Sequence, residues 1–258
     1  MIRLGIDIGS TTVKLVVIDE KADILYTKYE RHNARVKEVL ALCLQELMAV
    51  LGDREVSVRM TGSIGMGMAE KYSIPFVQEV VAAARAIKQT YPGVRSMIDI
   101  GGEDAKVVFF KDGKARDLRM NGNCAGGTGA FIDQMAVILG VDVSELDRLA
   151  AGSTQIYPIA SRCGVFCKTD IQNLVAKNAT RQDIAASIFH AVAVQTVVTL
   201  AHGCDIQAPV LFCGGPLTFM PTLRKAFVDY LSVDEADTVL PSNGTQLPAL
   251  GAALYELS

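Results

Sequence analysis

The residues of this sequence best suited to chemistry lie in a short stretch near its N-terminus, IDIGSTTVK (residues 6–14). Asp7 interrupts an apolar run, where a charge is costly unless it meets a cation or water. Gly9 and the three hydroxyl residues after it form a bend whose backbone N–H groups can approach an anion closely. Apolar residues on both sides predict the two strands of a hairpin. The stretch is typical of a phosphate-binding turn, although a plain hairpin turn would satisfy the same pattern.

The same pattern returns further along the chain at one constant offset, as IDIGGEDAK (residues 98–106). Ile, Asp, Ile, Gly and Lys recur without a gap, which indicates an internal repeat. The repeat predicts two copies of one hairpin, each with an aspartate before a glycine turn. Two such hairpins facing across a cleft would clamp a chain of phosphates, with Asp7 and Asp99 holding a hydrated magnesium ion.

The other residues of the two turns are assigned from their chemistry. Glu103 and Asp104 are the candidates for orienting an attacking water molecule. Lys14 and Lys106 either contact phosphate or mark the outer face of the second strand. The pair Gly214-Gly215, after a later strand, is assigned to the base or ribose of a nucleotide. The residues assigned to phosphate are Gly9, Ser10, Thr11, Thr12, Gly101 and Gly102.

Two cysteines each precede a predicted helix. Cys124 lies in the glycine-rich passage NGNCAGGTGAF (residues 121–131), and Cys163 lies in SRCGVF (residues 161–166). A glycine-rich loop that enters a helix suits an anion. Two positive helix ends around one point would favour thiolates, and hence an anionic metal–thiolate cluster. The alternative is a pair of ordinary small residues in tight loops, since neither passage has the C-x-x-C spacing of a zinc or ferredoxin site.

The paired D-x-G turns resemble those of the acetate kinase, sugar kinase, Hsp70 and actin superfamily. The motifs along the whole chain narrow this to a resemblance to the BadF/BadG/BcrA/BcrD ATPase family, the activators of 2-hydroxyacyl-CoA dehydratases and benzoyl-CoA reductases. Those motifs are, in order, IDIGSTTVK, IDIGGEDAK, NGNCAGGTGAF, SRCGVF, GGP and ALGAALY. The cysteine passages are absent from actin, Hsp70 and the sugar kinases, so the resemblance is specific.

The resemblance implies an α/β fold of two ribonuclease H-like (actin-like) domains with duplicated topology around a nucleotide cleft. It implies a homodimer sharing one 4Fe-4S cluster, bound by Cys124 and Cys163 of each subunit. It also implies that binding of ATP with Mg²⁺, and hydrolysis to ADP, drive a low-potential electron into a partner iron–sulfur enzyme. The electron would come from a donor such as ferredoxin or flavodoxin, in an anaerobic cytoplasm. Gly214-Gly215 would then lie on the adenosine side.

The sequence departs from the commoner family pattern at three places. Glu103 stands where many members have glutamine, and TGSIG (residues 61–65) replaces T-G-Y-G-R. Cys167 stands where the dehydratase activators have alanine, and we expect it to pack rather than to bind iron. The sequence RCGVFCKTD (residues 162–170) resembles the corresponding motif of a sister branch of the family, which includes activators of double-cubane-cluster proteins. The partner is therefore either a dehydratase or a reductase of that kind.

Two rival functions fit part of this pattern. A small-molecule kinase of the same superfamily, such as a sugar kinase, would need a phosphoryl acceptor site and neither Cys124 nor Cys163. A nucleotide-dependent sensor or scaffold would use both cysteines for packing only.

Composition excludes other classes of protein. A net charge of −3 without a cluster of Lys and Arg argues against a nucleic-acid surface. Arg3 and Asp7 interrupt the N-terminus too early for a signal peptide, so six cysteines indicate a reducing cytoplasm. Residues 184–204 lack a fixed charge and are long enough to span a membrane. Polar residues lie all round that stretch, which favours a buried helix and no membrane.

Apolar periodicity predicts helices over residues 36–51, ended by Gly52, and 77–88, and an extended piece over 155–159. A closing helix rich in small residues is predicted over residues 246–255, and small residues fit a position at a domain hinge. We expect a first actin-like ATPase domain formed by residues 1–92 and 243–258. Residues 93–242 would form a second actin-like domain that carries the cluster cysteines.

Overall fold

The computed structural model describes residues 1–121, 126–160 and 164–255 of the chain. The chain divides into two compact units, Met1–Gly93 with Thr245–Ser258, and Val94–Gly244. Each unit contains one β-sheet and several α-helices.

The first unit is built on a four-stranded sheet. Its elements are β1 (Ile2–Ile8), β2 (Thr12–Ile18), β3 (Ile24–Arg31), α1 (Val36–Leu51), β4 (Val56–Thr61), α2 (Gly65–Tyr72), α3 (Glu79–Thr90) and α10 (Leu247–Ala253). The strand order is β3-β2-β1-β4, with β1 antiparallel to β2 and parallel to β4. The predicted hairpin is therefore confirmed, and it is extended by β3 on the side of β2 and by β4 on the side of β1.

Burial explains why the sequence of this hairpin is almost continuously apolar. Leu15, Val16 and Val17 on β2 are all fully buried, so the strand is covered on both faces. A strand covered on both faces does not alternate apolar and polar residues. The helix predicted over residues 36–51 is confirmed as α1, which ends at Gly52 in a positive-φ conformation that favours glycine.

Small residues let α10 lie directly against the sheet and against α3. A Cβ added to Gly251 would lie 1.7 Å from the carbonyl oxygen of Ala82 on α3. A Cβ added to Gly5 on β1 would lie 1.8 Å from the carbonyl oxygen of Ala249. These close approaches within the first unit account for the small residues of the closing helix. Its position at a hinge stays a prediction.

The second unit is built on a five-stranded sheet. Its elements are β5 (Ser96–Ile100), β6 (Ala105–Lys111), β7 (Lys114–Asn121), α4 (Gly129–Leu139), α5 (Val143–Ala151), α6 (Gly164–Ala176), α7 (Arg181–Leu200), β8 (Val210–Cys213), α8 (Gly215–Phe219), α9 (Pro221–Leu231) and β9 (Thr238–Val239). The strand order is β7-β6-β5-β8-β9, with β5 antiparallel to β6 and parallel to β8. The hairpin and its parallel neighbour therefore repeat the arrangement of the first unit.

Helix α7 forms the centre of the second unit. It is long and apolar enough to cross a membrane, but 72% of the apolar window is buried inside the structure. The core helix of a soluble protein passes the same test, and Ile188, Phe189 and Val192 are fully buried in the core of this unit. The prediction of a buried helix is therefore confirmed.

The segment 153–160, which precedes the passage around Cys163, is held by side chains of α7. Asp183 accepts hydrogen bonds from the backbone N–H groups of Thr154 at 2.7 Å and Gln155 at 2.9 Å. Ser187 accepts one from the Tyr157 N–H group at 2.8 Å. The Thr180 hydroxyl, followed by these backbone donors, lowers the pKa of Asp183. No regular strand forms here, so the extended piece depends on these side chains for its position.

Candidate functional site

The first turn has the geometry that the sequence predicts. The Gly9 N–H group donates to the carbonyl oxygen of Thr12 at 3.0 Å, which closes the bend between β1 and β2. Asp7 is fully buried and lies opposite Lys14 in the antiparallel register. The Lys14 Nζ atom lies 2.8 Å from Asp7 Oδ2. Lys14 therefore offsets the charge of Asp7. The sequence had predicted for Lys14 either a contact with phosphate or a place on the outer face of the strand, and this ion pair is neither. Gly9, Ser10 and Thr11 are partly accessible.

The second turn repeats this geometry in the second unit. The Gly101 N–H group donates to the Asp104 carbonyl oxygen at 2.8 Å, and Asp99 lies opposite Lys106 in the register. The two turns differ in charge, because Asp104 occupies the position of Thr12. The Lys106 Nζ atom lies 2.8 Å from Asp104 Oδ2. Glu103 is exposed to solvent. Asp104 is thus engaged in an ion pair, and Glu103 is the more accessible of the two candidate water-orienting residues.

A glycine after the parallel strand packs against the aspartate of each hairpin. A Cβ on Gly214, after β8, would lie 2.4 Å from Asp99 Oδ1. A Cβ on Gly62, after β4, would lie 2.4 Å from Asp7 Oδ1. Both glycines have positive φ, so a side chain is disfavoured by conformation as well as by space. Gly62 adjoins the candidate site and was not among the predicted site residues. Its position directly after a strand, like that of Gly214, is the signal that could have identified it.

His32 supports the first turn through hydrogen bonds to its backbone. It is 3% exposed, and its backbone N–H group donates to the Thr11 carbonyl oxygen at 3.1 Å. Its Nδ1 atom accepts the Ala34 N–H group at 3.2 Å, so Nε2 carries the proton and donates to the Gly9 carbonyl oxygen at 3.1 Å. Asn33 and Ala34 both have positive φ, an uncommon conformation for residues other than glycine. The sequence gives no signal for this role, because the imidazole reaches the turn from the end of β3.

We expect replacement of His32 by leucine to weaken nucleotide binding about tenfold, the factor for loss of one or two hydrogen bonds that position the turn. Glutamine can place an N–H group near the position of Nε2, so His32→Gln should stay within about threefold of the wild type. Calorimetric titration with ADP and Mg²⁺ measures both. The buried Leu47→Ala on α1 is the control for general destabilisation, and equal affinity in His32→Leu and the wild type would contradict the expectation.

The start of α4 is hydrogen-bonded to the second turn. The N–H groups of Gly129 and Ala130 donate to the carbonyl oxygens of Gly101 at 2.9 Å and Gly102 at 2.7 Å. A Cβ on Gly129 would lie 3.3 Å from the Pro216 side chain, next to the pair Gly214-Gly215. These two N–H groups of the helix are therefore committed to backbone carbonyls. This contact joins the glycine-rich passage to the turn assigned to phosphate.

The two cysteines predicted to bind a cluster, Cys124 and Cys163, lie outside the described residues. Cys167, on α6, is 2% exposed and belongs to the hydrophobic core of the second unit. Burial raises the pKa of its thiol to about 12. A thiol in this environment is protonated at neutral pH, as expected for a packing residue.

Replacement of Cys167 by alanine should therefore leave the iron content of the protein unchanged. It should cost about 1–2 kcal/mol of unfolding free energy, because a small cavity opens in the core. Iron and protein assays on anaerobically purified samples, together with denaturant unfolding, measure the two effects. Loss of iron as complete as in Cys163→Ala would make Cys167 a ligand.

Within residues 1–121, 126–160 and 164–255, no group of three or more His, Cys, Asp or Glu side chains could hold a metal ion. Two fully buried polar atoms of the first unit do have no hydrogen-bond partner in that part of the chain. They are Asp7 Oδ1 and Thr61 Oγ1. Asp7 and Thr61 lie opposite one another on the parallel strands β1 and β4, so their side chains share one face of the sheet.

Comparison with known proteins identifies the chain. The sequence profile of the BadF/BadG/BcrA/BcrD ATPase family matches residues 4–255. The chain belongs to this family. It has the α/β fold of two ribonuclease H-like units that the resemblance implied, and it is an ATPase of the activator type.

Relatives of this family member match over nearly the full chain. The (R)-2-hydroxyglutaryl-CoA dehydratase activating ATPase of Acidaminococcus fermentans is 32% identical over 98% of this chain and 95% of its own length. The crystal structure of the A. fermentans (R)-2-hydroxyglutaryl-CoA dehydratase component A superimposes with a TM-score of 0.89 at 30% identity, covering 99% of this chain and 97% of that one. The activator of the 2-hydroxyisocaproyl-CoA dehydratase from Clostridium difficile, with bound ADPNP, gives a TM-score of 0.85 at 31% identity, covering 99% and 94%.

Proposed function

We propose that this protein is an ATP-dependent reductive activator that couples ATP hydrolysis to the transfer of one low-potential electron into a partner iron–sulfur enzyme. The observation that carries the proposal is the family match over residues 4–255, which includes both aspartate turns and both cysteine passages. Relatives named as activators of CoA-dependent dehydratases support it.

The nucleotide is assigned to the two turns and to the glycine pair after β8. Gly9, Ser10, Thr11 and Thr12 of the first turn and Gly101-Gly102 of the second bind the phosphates, and Gly214-Gly215 faces the adenosine. The relative with bound ADPNP supports a nucleotide site in this fold. The first domain is residues 1–92 with 243–258, and the second is residues 93–242.

Magnesium is assigned to Asp7 and Asp99, and the chemistry of the first turn suits it. Asp7 Oδ1 is a buried carboxylate oxygen without a hydrogen-bond partner among the described residues, and it is an acceptor for the water shell that Mg²⁺ retains in proteins. Lys14 fixes the other oxygen of the same carboxylate. Glu103 orients the attacking water, because Asp104 is held by Lys106.

A 4Fe-4S cluster is assigned to Cys124 and Cys163. A cubane needs four ligands, so two thiolates from each of two subunits complete it in a homodimer. When bound, the cluster supplies one-electron chemistry at low potential. The glycine-rich passage that contains Cys124 ends at α4, whose first N–H groups are bonded to Gly101 and Gly102. A shift of the phosphate turn would therefore pull on the start of this helix.

The energy for that movement is limited. A nucleotide can shift the helix only by the difference between its affinities for the two states of the protein. The partner is an iron–sulfur dehydratase or a reductase such as a double-cubane-cluster protein, with ferredoxin or flavodoxin as the electron donor. The reaction takes place in an anaerobic cytoplasm.

Anaerobic purification tests the proposal. The protein should be brown, dithionite should bleach its absorbance, and the reduced protein should pass an electron to an oxidised partner only when Mg–ATP is present. A colourless protein that phosphorylates a small molecule would instead be a kinase. A colourless protein that binds nucleotide without turnover would be a sensor or scaffold. Cys124→Ser is the matched control, because it should remove the colour and keep nucleotide binding.

A further inference from the structure

Thr61, at the end of β4, is buried with an unsatisfied hydroxyl. The residue is 0% exposed, and its Oγ1 atom has no hydrogen-bond partner in the described part of the chain. A buried polar atom without a partner costs about 1–3 kcal/mol of desolvation. Asp7 Oδ1, on the neighbouring strand in register with Thr61, is buried and unsatisfied in the same way.

The second unit shows that the fold does not require a hydroxyl here. Cys213 on β8 stands opposite Asp99, as Thr61 on β4 stands opposite Asp7. Its thiol lies 3.7 Å from the Ile98 carbonyl oxygen and is thereby satisfied. The equivalent position of one sheet therefore carries a satisfied, weakly polar group, whereas the other keeps a hydroxyl at a cost in stability.

The backbone around Thr61 brings the following loop against the carboxylate of Asp7. A Cβ on Gly62 would lie 2.4 Å from Asp7 Oδ1 and 2.4 Å from the Ile8 carbonyl oxygen, so only glycine fits. The Ile64 N–H group donates to that carbonyl oxygen at 3.0 Å. The side chains of Thr61 and Asp7 thus lie on one face of a backbone held by close packing and hydrogen bonds, and such rigid support is what a pre-formed ligand site requires.

We propose that Thr61 Oγ1 and Asp7 Oδ1 together bind the water shell of the divalent cation that accompanies the nucleotide. This inference rests on the proposed function, and it adds a residue from β4 to a site otherwise drawn from the two hairpin turns. Oxygen ligands suit Mg²⁺, which gives up its water reluctantly and is held through a few protein groups. A hydroxyl accepts from one such water while donating to another acceptor.

The test is a set of substitutions at Thr61 that separate binding from stability. Thr61→Val keeps the shape and removes the unsatisfied hydroxyl, so the ligand-free protein should melt at the same temperature or about 2–4 °C higher. Its ADP affinity at limiting Mg²⁺ should fall about tenfold. Thr61→Ser keeps the hydroxyl and loses a buried methyl, so it should bind ADP like the wild type and melt lower. Thr61→Val should thus melt higher than Thr61→Ser but bind ADP more weakly. A residue with only a structural role would not rank the two variants in opposite order for stability and for affinity.

The cation dependence identifies the ligand. Calorimetric titration with ADP in excess EDTA should give the same affinity for Thr61→Val and the wild type, whereas titration with Mg²⁺ present should separate them. Thr196→Val on α7 is the matched control, because its buried Oγ1 also has no partner among the described residues, and it should leave the Mg²⁺ dependence unchanged.

Three outcomes would overturn the inference. Equal affinities for Thr61→Val and the wild type with Mg²⁺ would make the hydroxyl a packing group. An equal loss with and without Mg²⁺ would assign it to the nucleotide or to the turn. If Thr61→Val does not fold, Thr61→Cys reproduces the residue of the second unit, and wild-type Mg²⁺ dependence in that variant would overturn the inference in the same way. A wild-type protein that binds no Mg–ADP would instead refute the proposed function itself.

Discussion

Replacement of Asp7 or Asp99 is expected to lower ATP hydrolysis by about 10³-fold or more, because each variant removes a charged group assigned to the cation at the transferring phosphates. The two positions differ in their structural cost. Asp7 is fully buried in an ion pair with Lys14, so Asp7→Ala leaves a largely buried ammonium group without its carboxylate and costs about 3–5 kcal/mol of stability. In Asp99→Ala, Lys106 keeps its ion pair with Asp104. Steady-state phosphate release and thermal melting measure the two effects.

The loss of hydrolysis is separated from the loss of stability by a double variant. Asp7→Asn with Lys14→Met removes both charges, so the fold should recover while hydrolysis stays low. Asp19→Asn in the surface turn after β2 is a matched control that should hydrolyse ATP at the wild-type rate. Undiminished turnover in either Asp7→Ala or Asp99→Ala would remove the assignment of the two turns to one Mg–ATP site.

Loss of Cys124 or Cys163 is expected to remove the cluster completely and to loosen the dimer. Two thiolates per chain can close a four-ligand site only where two chains meet, so cluster binding and assembly form one linked equilibrium. Sedimentation of the anaerobic wild type should show a dimer that contains about four iron atoms. Cys124→Ser and Cys163→Ser should sediment with a larger monomer fraction and without iron. Chelation of the wild-type iron should have the same effect.

Cys204 provides the control for this experiment. It is a partly exposed free cysteine whose Sγ atom lies 3.0 Å from the Arg119 guanidinium, so Cys204→Ser tests the loss of a thiol at another place in the second unit. It should keep iron and dimer. A stable monomer that retains a complete four-iron cluster would refute the linkage, because one chain would then have to supply further ligands.

The sequence was sufficient to predict those features that depend on neighbours along the chain. The two hairpins follow from apolar residues on either side of a glycine turn. The structure adds the register, which pairs Asp7 with Lys14 and Asp99 with Lys106. The end of α1 at Gly52 follows from the freedom of glycine to adopt positive φ. The difference between the two turns was also visible, since Asp104 replaces Thr12 at the repeated position.

Features that depend on parallel pairing or on distant contacts were not predictable in the same way. Thr61 and Gly62 gain their roles only because β4 lies beside β1, which brings Asp7 into register with a residue far along the chain. His32 acts through an imidazole that reaches back from the end of β3 to Gly9. Cys124 and Cys163 stay predictions from the sequence, since both lie outside the described residues.

The position of α10 has a consequence for synthesis on the ribosome. This helix packs on β1 and α3 of the first unit, but its residues 247–253 are translated after the whole of the second unit, residues 94–244. Domains generally begin to fold as they emerge, N-terminal ones first. Until α10 arrives, the backbone at Gly5 and Ala82 lacks its packing partner, so apolar surface of the nascent first unit stays available to chaperones. The unit that leaves the ribosome first therefore cannot finish folding until the whole of the second unit has been translated.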